Sequence, residues 1–161
     1  MELILLRHGK AEHINQQGDS ARELVGKGRL QARKAATALK RAGLLPDIVL
    51  TSPMVRARQT ADEFCETAGI PGAVIESWLA CGMYPEEALK ELAGFLEFKR
   101  VAIVGHEPDL SELIAWILGA TSGSVEVKKG SISCLRLTPP ARNGALIYLI
   151  PPKLAGDLGD G

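Results

Sequence analysis

Residues 3–9, Leu-Ile-Leu-Leu-Arg-His-Gly, decide how the rest of the chain is read. Four consecutive Leu or Ile residues have the length and character of a strand buried on both faces. The run then stops on a guanidinium, an imidazole and a glycine. Such a set at the end of a buried strand reads as the edge of an active site, and its cation implies an anionic ligand. Alone, the three residues equally fit a solvated strand end, so the neighbouring segments must discriminate.

Composition narrows the choices. A chain of 161 residues is one domain with a sizeable core. Lys and Arg total 19 and Asp and Glu total 19. This balance argues against a general nucleic-acid binder, which needs a basic excess, so any anion site must be local. Cys65, Cys81 and Cys134 are widely spaced and odd in number, which reads as core thiols in a reducing compartment. One acidic residue, a strand-length apolar run and then Arg7 do not make a signal peptide, and no apolar stretch approaches membrane-spanning length. A soluble, cytoplasmic protein without membrane contact is expected. The sequence leaves its oligomeric state open.

Residues 10–26 are polar, contain two glycines and lack a sustained period, so they read as a loop. From Lys27, Ala32, Ala35, Ala36 and Leu39 recur at helical spacing, with Gly43 placed as a stop. Arg29, Arg33, Lys34, Lys40 and Arg41 fall outside that stripe and read as a solvated face. Residues 47–51 form a second strand, after which Ser52 as N-cap and Pro53 at the first helical position predict a helix to Gly69 that carries Arg56 in its first turn.

A short strand is expected at 73–75, and then a helix from Pro85 with Leu89, Leu92, Ala93 and Leu96 inward. The strand 101–104 ends on Gly105-His106, and a helix through Leu110, Leu113, Ile114, Ile117 and Leu118 stops at Gly119. Segments 124–129, 131–138 and 145–150 read as strands, and 151–161 as a flexible tail after a 1–150 domain.

Alternating strands and helices predict an α/β fold, a three-layer α/β/α arrangement whose mainly parallel sheet has helices on both faces. Ligands bind such sheets at the carboxyl ends of the strands. Three strand exits then converge: Arg7-His8-Gly9, Ser52-Pro53 with Arg56, and Gly105-His106. Arginines beside both imidazoles disfavour a divalent cation, and neither histidine has a carboxylate at ligand spacing, so no metal is expected. Phosphate fits: guanidinium forks grip phosphoryl oxygens, and a helix N-terminus adds positive potential. One histidine can act as a nucleophile at phosphorus while the flanking cations neutralise the developing charge. Gly9 would let the backbone pass without crowding the phosphate.

LLRHGKAEH, TSPMVRARQTA and VGHEPDLS, in this order and spacing, resemble the motifs of the histidine phosphatase superfamily, the phosphoglycerate mutase-like fold. DSARELVGKGRLQA, the short segment between the second and third motifs and the small size resemble its compact SixA-type phosphohistidine phosphatase branch. The resemblance covers residues 1 to about 150. It implies that His8 accepts the phosphoryl group while Arg7, Arg56 and His106 bind its oxygens, with no cofactor or metal. It also implies substrates that are phosphohistidines on proteins, such as a histidine-containing phosphotransfer domain.

Ile14 stands where the mutase branch carries an asparagine, which disfavours a sugar-phosphate mutase. A proton-donating carboxylate of larger members has no clear counterpart, with Glu76, Glu86, Glu87 and Glu107 as candidates. Asp19 and Arg22 match the branch pattern, either as substrate contacts or as a loop-bracing ion pair. The alternatives are a phosphomonoesterase or mutase for small phosphoesters using the same pocket, and a non-catalytic module recognising phosphorylated partners.

Overall fold

The alternation of side chains along the buried strands builds the molecule. In the computed structural model, which describes residues 1–160 and side chains through Gly156, β1 (Glu2–Arg7) lies inside a six-stranded sheet. Chain order continues with α1 (Gly26–Ala42), β2 (Ile48–Thr51), α2 (Val55–Ala68), β3 (Val74–Ile75), α3 (Pro85–Leu92), β4 (Arg100–Gly105) and α4 (Asp109–Leu118). It ends with β5 (Ile132–Leu137), β6 (Gly144–Ile150) and α5 (Pro152–Asp160). The strand order is β3-β2-β4-β1-β5-β6, with β3, β2, β4 and β1 parallel and β5 and β6 antiparallel.

Successive residues of a strand face opposite sides of the sheet. Leu3, Leu5, Leu50, Val101 and Ile103 pack with Leu89 and Leu92 of α3 and Leu110, Leu113, Ile114 and Ile117 of α4. Ile4, Leu6, Val49, Ala102 and Val104 pack on the other side with Ala35, Ala36 and Leu39 of α1 and Ala57, Ala61 and Phe64 of α2. Helices thus cover both faces, which makes the expected three-layer α/β/α sandwich on a mixed, largely parallel sheet. Among the described residues no helix is long and apolar enough to cross a membrane.

Several expectations are corrected. Ser52 does not cap a helix that starts at Pro53; a turn intervenes and α2 begins at Val55. Leu96 is about half exposed because α3 stops at Leu92 and passes into a 3-10 turn. Segment 124–129 is not a strand: the Ser124 N–H turns back to the Thr121 carbonyl, the Lys128 carbonyl accepts the Ser131 N–H in a turn, and the Val127 carbonyl accepts from the Arg7 side chain. Cys81 is exposed rather than a core thiol. The stretch expected to be a flexible tail is helical over Pro152–Asp160, with Ala155 buried in the core cluster that includes α1 and α2 residues; Gly161 lies outside the described residues.

The strand register sets the site. Arg7 lies opposite Gly105, and Thr51 opposite Val104. His8, Ser52 and His106 therefore leave the sheet at one level, with the His8 N–H donating to the Gly105 carbonyl and the Ser52 N–H to that of Val104.

The chain after β1 must also pass α1 closely. A β-carbon on Gly9 would lie 2.4 Å from the Gly28 carbonyl oxygen, and one on Gly28 would lie 2.1 Å from that of Lys10. In an ordinary helix Gly→Ala is stabilising, by about 1 kcal/mol. Here Gly28→Ala is expected to lower the thermal midpoint, because backbone atoms cannot yield as a flexible side chain does. A raised midpoint by circular dichroism would refute this close-approach requirement.

Candidate active site

Arg7, His8 and Gly9 end β1, His106 follows β4, and Arg56 occupies the first turn of α2. The structure brings these sequence-nominated residues together. The rings of His8 and His106 lie 5.3 Å apart, centroid to centroid, at 54°. Both histidines and Arg56 are buried, with relative exposures of 5%, 2% and 4%.

Local bonding orients each group. His8 Nδ1 lies 2.8 Å from the Gly9 carbonyl oxygen, an acceptor only, so Nδ1 carries the hydrogen in the neutral ring and Nε2 is bare. Gly9 is itself held by its N–H donating to Thr60 Oγ1 at 3.1 Å, while the Thr60 hydroxyl donates to the Arg56 carbonyl at 2.7 Å. One threonine thus couples the His8 turn to the helix bearing Arg56. Gly9, expected to contribute to phosphate binding, has its N–H bonded to Thr60 and its Cα side closed by Gly28.

Arg7 Nη1 donates to the Val127 carbonyl at 2.8 Å. Arg56 Nη1 donates to the Asp19 carbonyl at 2.9 Å, and its Nη2 contacts Asp19 Oδ2 at 3.2 Å and Cys81 Sγ at 3.6 Å. Asp19 also pairs with Arg22 at 2.9 Å, and Arg22 Nε donates to the Glu12 carbonyl. Asp19 and Arg22 therefore brace the loop over Arg56. Together the Arg22 and Arg56 guanidinium groups hold the Asp19 carboxyl below its ordinary range. His106 Nε2 lies 2.7 Å from Ser52 Oγ.

Five buried side-chain polar atoms lack a hydrogen-bond partner among the described residues; two are the Ser131 and Ser133 hydroxyls of the β5 segment, and three, Arg7 Nε, Arg56 Nε and His106 Nδ1, belong to the clustered residues. Orphaned buried polar groups are costly, on the order of 1–3 kcal/mol each, and three on neighbouring residues require an explanation. An anion supplying acceptor oxygens provides one. Among the described residues no group of three or more His, Cys, Asp or Glu side chains is arranged to hold a metal ion.

The proton balance suits the same guest. Burial, with smaller contributions from His106, Arg56 and Arg7, pushes His8 down to about 3 against the opposing pull of the Gly9 carbonyl. Burial and then Arg56 push His106 down to about 4, partly offset by Asp19. Both rings are neutral at pH 7, so His8 presents a bare nitrogen with the chemistry of a nucleophile rather than an imidazolium.

Sequence reasoning did not find Thr60 or Lys129. Lys129 sits in the turn entering β5, whose Gly130 N–H reaches the Arg7 and His8 carbonyl oxygens at 3.1 and 3.2 Å. Burial, and then the fields of Arg7, Arg22, Lys10 and Arg56, push its ammonium below the ordinary lysine value. An antiparallel strand enters at the edge where parallel strands leave, and that topology was the signal available. Of the proposed acids, Glu107 accepts the Ser111 N–H at 2.8 Å and Glu76 the Trp78 indole N–H at 3.1 Å, while Glu86 and Glu87 lie in the first turn of α3.

Residues 3–81 match the family model of the histidine phosphatase superfamily (branch 1). An uncharacterized protein of Picosynechococcus sp. is 33% identical over 144 residues, covering 84% of this chain and 85% of that protein. The solved structure of the protein histidine phosphatase SixA with tungstate matches 96% of this chain and 99% of its own, with a TM-score of 0.87 and 25% identity. A 2,3-bisphosphoglycerate-dependent phosphoglycerate mutase of Leifsonia xyli subsp. xyli is 40% identical over 82 residues, 47% of this chain and 32% of the mutase.

The buried neutral histidines carry a consequence for stability. Each protonates in the fold only as pH falls through about 3 or about 4, whereas the unfolded chain takes up that proton near 6.5. The unfolded state binds more protons between these values, so stability is fully present above 6.5 and falls with pH below it, by up to about 1.4 kcal/mol per histidine per pH unit. Urea denaturation at pH 7.5 and 5.5 is expected to show this fall, and a His8→Asn/His106→Asn double variant a shallower one. Equal pH slopes in the two proteins would contradict it.

Proposed function

The chain belongs to the histidine phosphatase superfamily, and we propose that it is a phosphatase that removes phosphate from phosphohistidine on a protein through a covalent phosphohistidine at His8. The observation that carries this reading is the cluster of unpartnered buried nitrogens, Arg7 Nε, Arg56 Nε and His106 Nδ1, beside a histidine whose Nε2 is left bare. Tetrahedral oxyanions share the shape of phosphate, and the similar SixA structure holds tungstate.

In the first step Nε2 of His8 attacks phosphorus and the bond to the substrate imidazole breaks, with that imidazole taking a proton from solvent. Arg7, Arg56 and His106 stabilise the equatorial oxygens as the transition state spreads its charge. Water then attacks the phosphoryl group on His8, releasing phosphate and restoring the bare nitrogen. Asp19 shares Arg56 in the free protein and holds its guanidinium in place.

Two of the connections at the site are short: residues 52–54 join β2 to α2 and 106–108 join β4 to α4, while the longer 8–25 connection is held against Arg56 by Asp19. A histidine side chain on a docked domain, such as a histidine-containing phosphotransfer domain, has access to such a site. Lys129 adds attraction for the incoming dianion.

The test offers purified protein, with EDTA present, a phosphohistidine-bearing phosphotransfer domain and a panel of phosphate esters. Preferential release from phosphohistidine is expected, lost by a factor of at least about 10³ in His8→Ala, as for removal of a covalent nucleophile. Preferential ester hydrolysis would move the substrate to small molecules, and binding without release would leave only a recognition module.

Lys129→Gln is expected to raise KM several-fold with kcat changed less, because the ammonium acts on the ground state and transition state alike. An unchanged KM would remove Lys129 from the site.

A further inference from the structure

Ser52 was read from sequence as a helix cap, and the structure gives its hydroxyl a different set of neighbours. Ser52 is wholly buried at the end of β2. Its Oγ accepts the Met54 N–H at 3.2 Å and lies 2.7 Å from His106 Nε2. A hydroxyl has one hydrogen to give and two lone pairs to receive. Met54 occupies one lone pair, and the hydroxyl hydrogen needs an acceptor.

Two arrangements of the 2.7 Å contact are possible, and they differ in what they leave unsatisfied. If His106 donated from Nε2, both lone pairs of Ser52 would be filled and its hydrogen would be buried without an acceptor. The bare Nδ1 would then present a lone pair in a pocket that must take an anion. If Ser52 donates instead, its hydrogen is satisfied, and the proton of the neutral ring must reside on Nδ1. That nitrogen is the buried atom without a partner among the described residues. It is then a donor ready for a phosphoryl oxygen.

We propose that Ser52 is a positioning residue that, by donating its hydroxyl hydrogen to Nε2, keeps the proton of His106 on Nδ1 as the donor for the phosphoryl group. This rests on the phosphatase reading above for its purpose, though not for its geometry. His8 and His106, 5.3 Å apart, thereby perform opposite tasks. The Gly9 carbonyl leaves Nε2 of His8 bare to attack, and the Ser52 hydroxyl leaves Nδ1 of His106 protonated to bind.

The experiment is nitrogen NMR of the full chain with 15N-labelled histidine near pH 7, free of ligand, for wild type and Ser52→Ala. A protonated Nδ1 and a bare Nε2 on His106 are expected in the wild type. In Ser52→Ala the Nε2-protonated form should appear, and inorganic phosphate should bind about 10- to 100-fold more weakly, the scale of one hydrogen bond to a charged group. The His8 signals should keep their tautomer. A wild-type His106 protonated on Nε2 overturns the proposal and requires no variant, as does a Ser52→Ala protein with tautomer and phosphate affinity unchanged.

Because the spectrum reads the resting protein, it is separable from turnover. An Nδ1-protonated His106 in a protein that releases no phosphate defeats the phosphatase reading alone. Turnover with an Nε2-protonated His106 defeats the Ser52 proposal alone.

Discussion

Everything at the site depends on the parallel register of three adjacent strands. Parallel pairing leaves every strand pointing the same way, so residues beyond paired ends must share one edge. Arg7 opposite Gly105 and Thr51 opposite Val104 put His8, His106 and Ser52 there with no further adjustment. A shift of β4 by one residue would exchange its two faces, sending Val101 and Ile103 to the wrong core. The packing that fixes the register therefore also fixes the distance between the two histidines, so core stability and site geometry have a common origin.

Electrostatically the site runs against the rest of the molecule. The chain as a whole is neutral, yet Arg7 and Arg56 gather at one edge, and burial holds Arg7 below its ordinary pKa. Asp19 partly neutralises Arg56 from the loop, and Glu107 opposes the shift on Arg7. Such a collection gives up stability in the empty protein, which under the proposed reading a bound phosphoryl group would recover. The same burial that costs energy in the arginines keeps both imidazoles neutral, which a nucleophile requires.

The sequence was legible where one physical rule dominated. Strong apolar runs exposed β1, β2 and β4, and helical spacing exposed α1, α2 and α4, because burial determines all of them. Arg7, His8, Arg56 and His106 were legible because parallel strands share an exit edge. Lys129 was not, since it precedes a strand that runs the other way, and a search restricted to strand exits passes over it. Thr60 reads as an ordinary helix residue until Gly9 is seen beside it. Ser52 was misassigned because serine before proline also fits a helix cap, and only the tertiary contact with His106 distinguishes the two. The terminal segment failed differently. Its polar and glycine content suggested disorder, whereas Pro152–Asp160 is helical with Ala155 buried in the core cluster that includes α1 and α2 residues.

Under the proposed reading, selectivity follows from the carboxylates as much as from the cations. Expelling an alkoxide calls for a proton donor in the transition state, whereas a departing imidazole can take its proton from solvent. Asp19 is the carboxylate bound to Arg56, and two guanidinium groups keep it ionised, which makes it a poor acid at neutral pH. Glu107 is committed to the Ser111 N–H at the start of α4. An ester offered to this pocket would meet the same nucleophile and the same oxyanion donors without a ready acid for its leaving oxygen. The arginine pair that binds Asp19 thus does two things at once: it keeps a cation aimed at phosphate, and it keeps the adjacent carboxyl from serving as the acid on which ester cleavage depends.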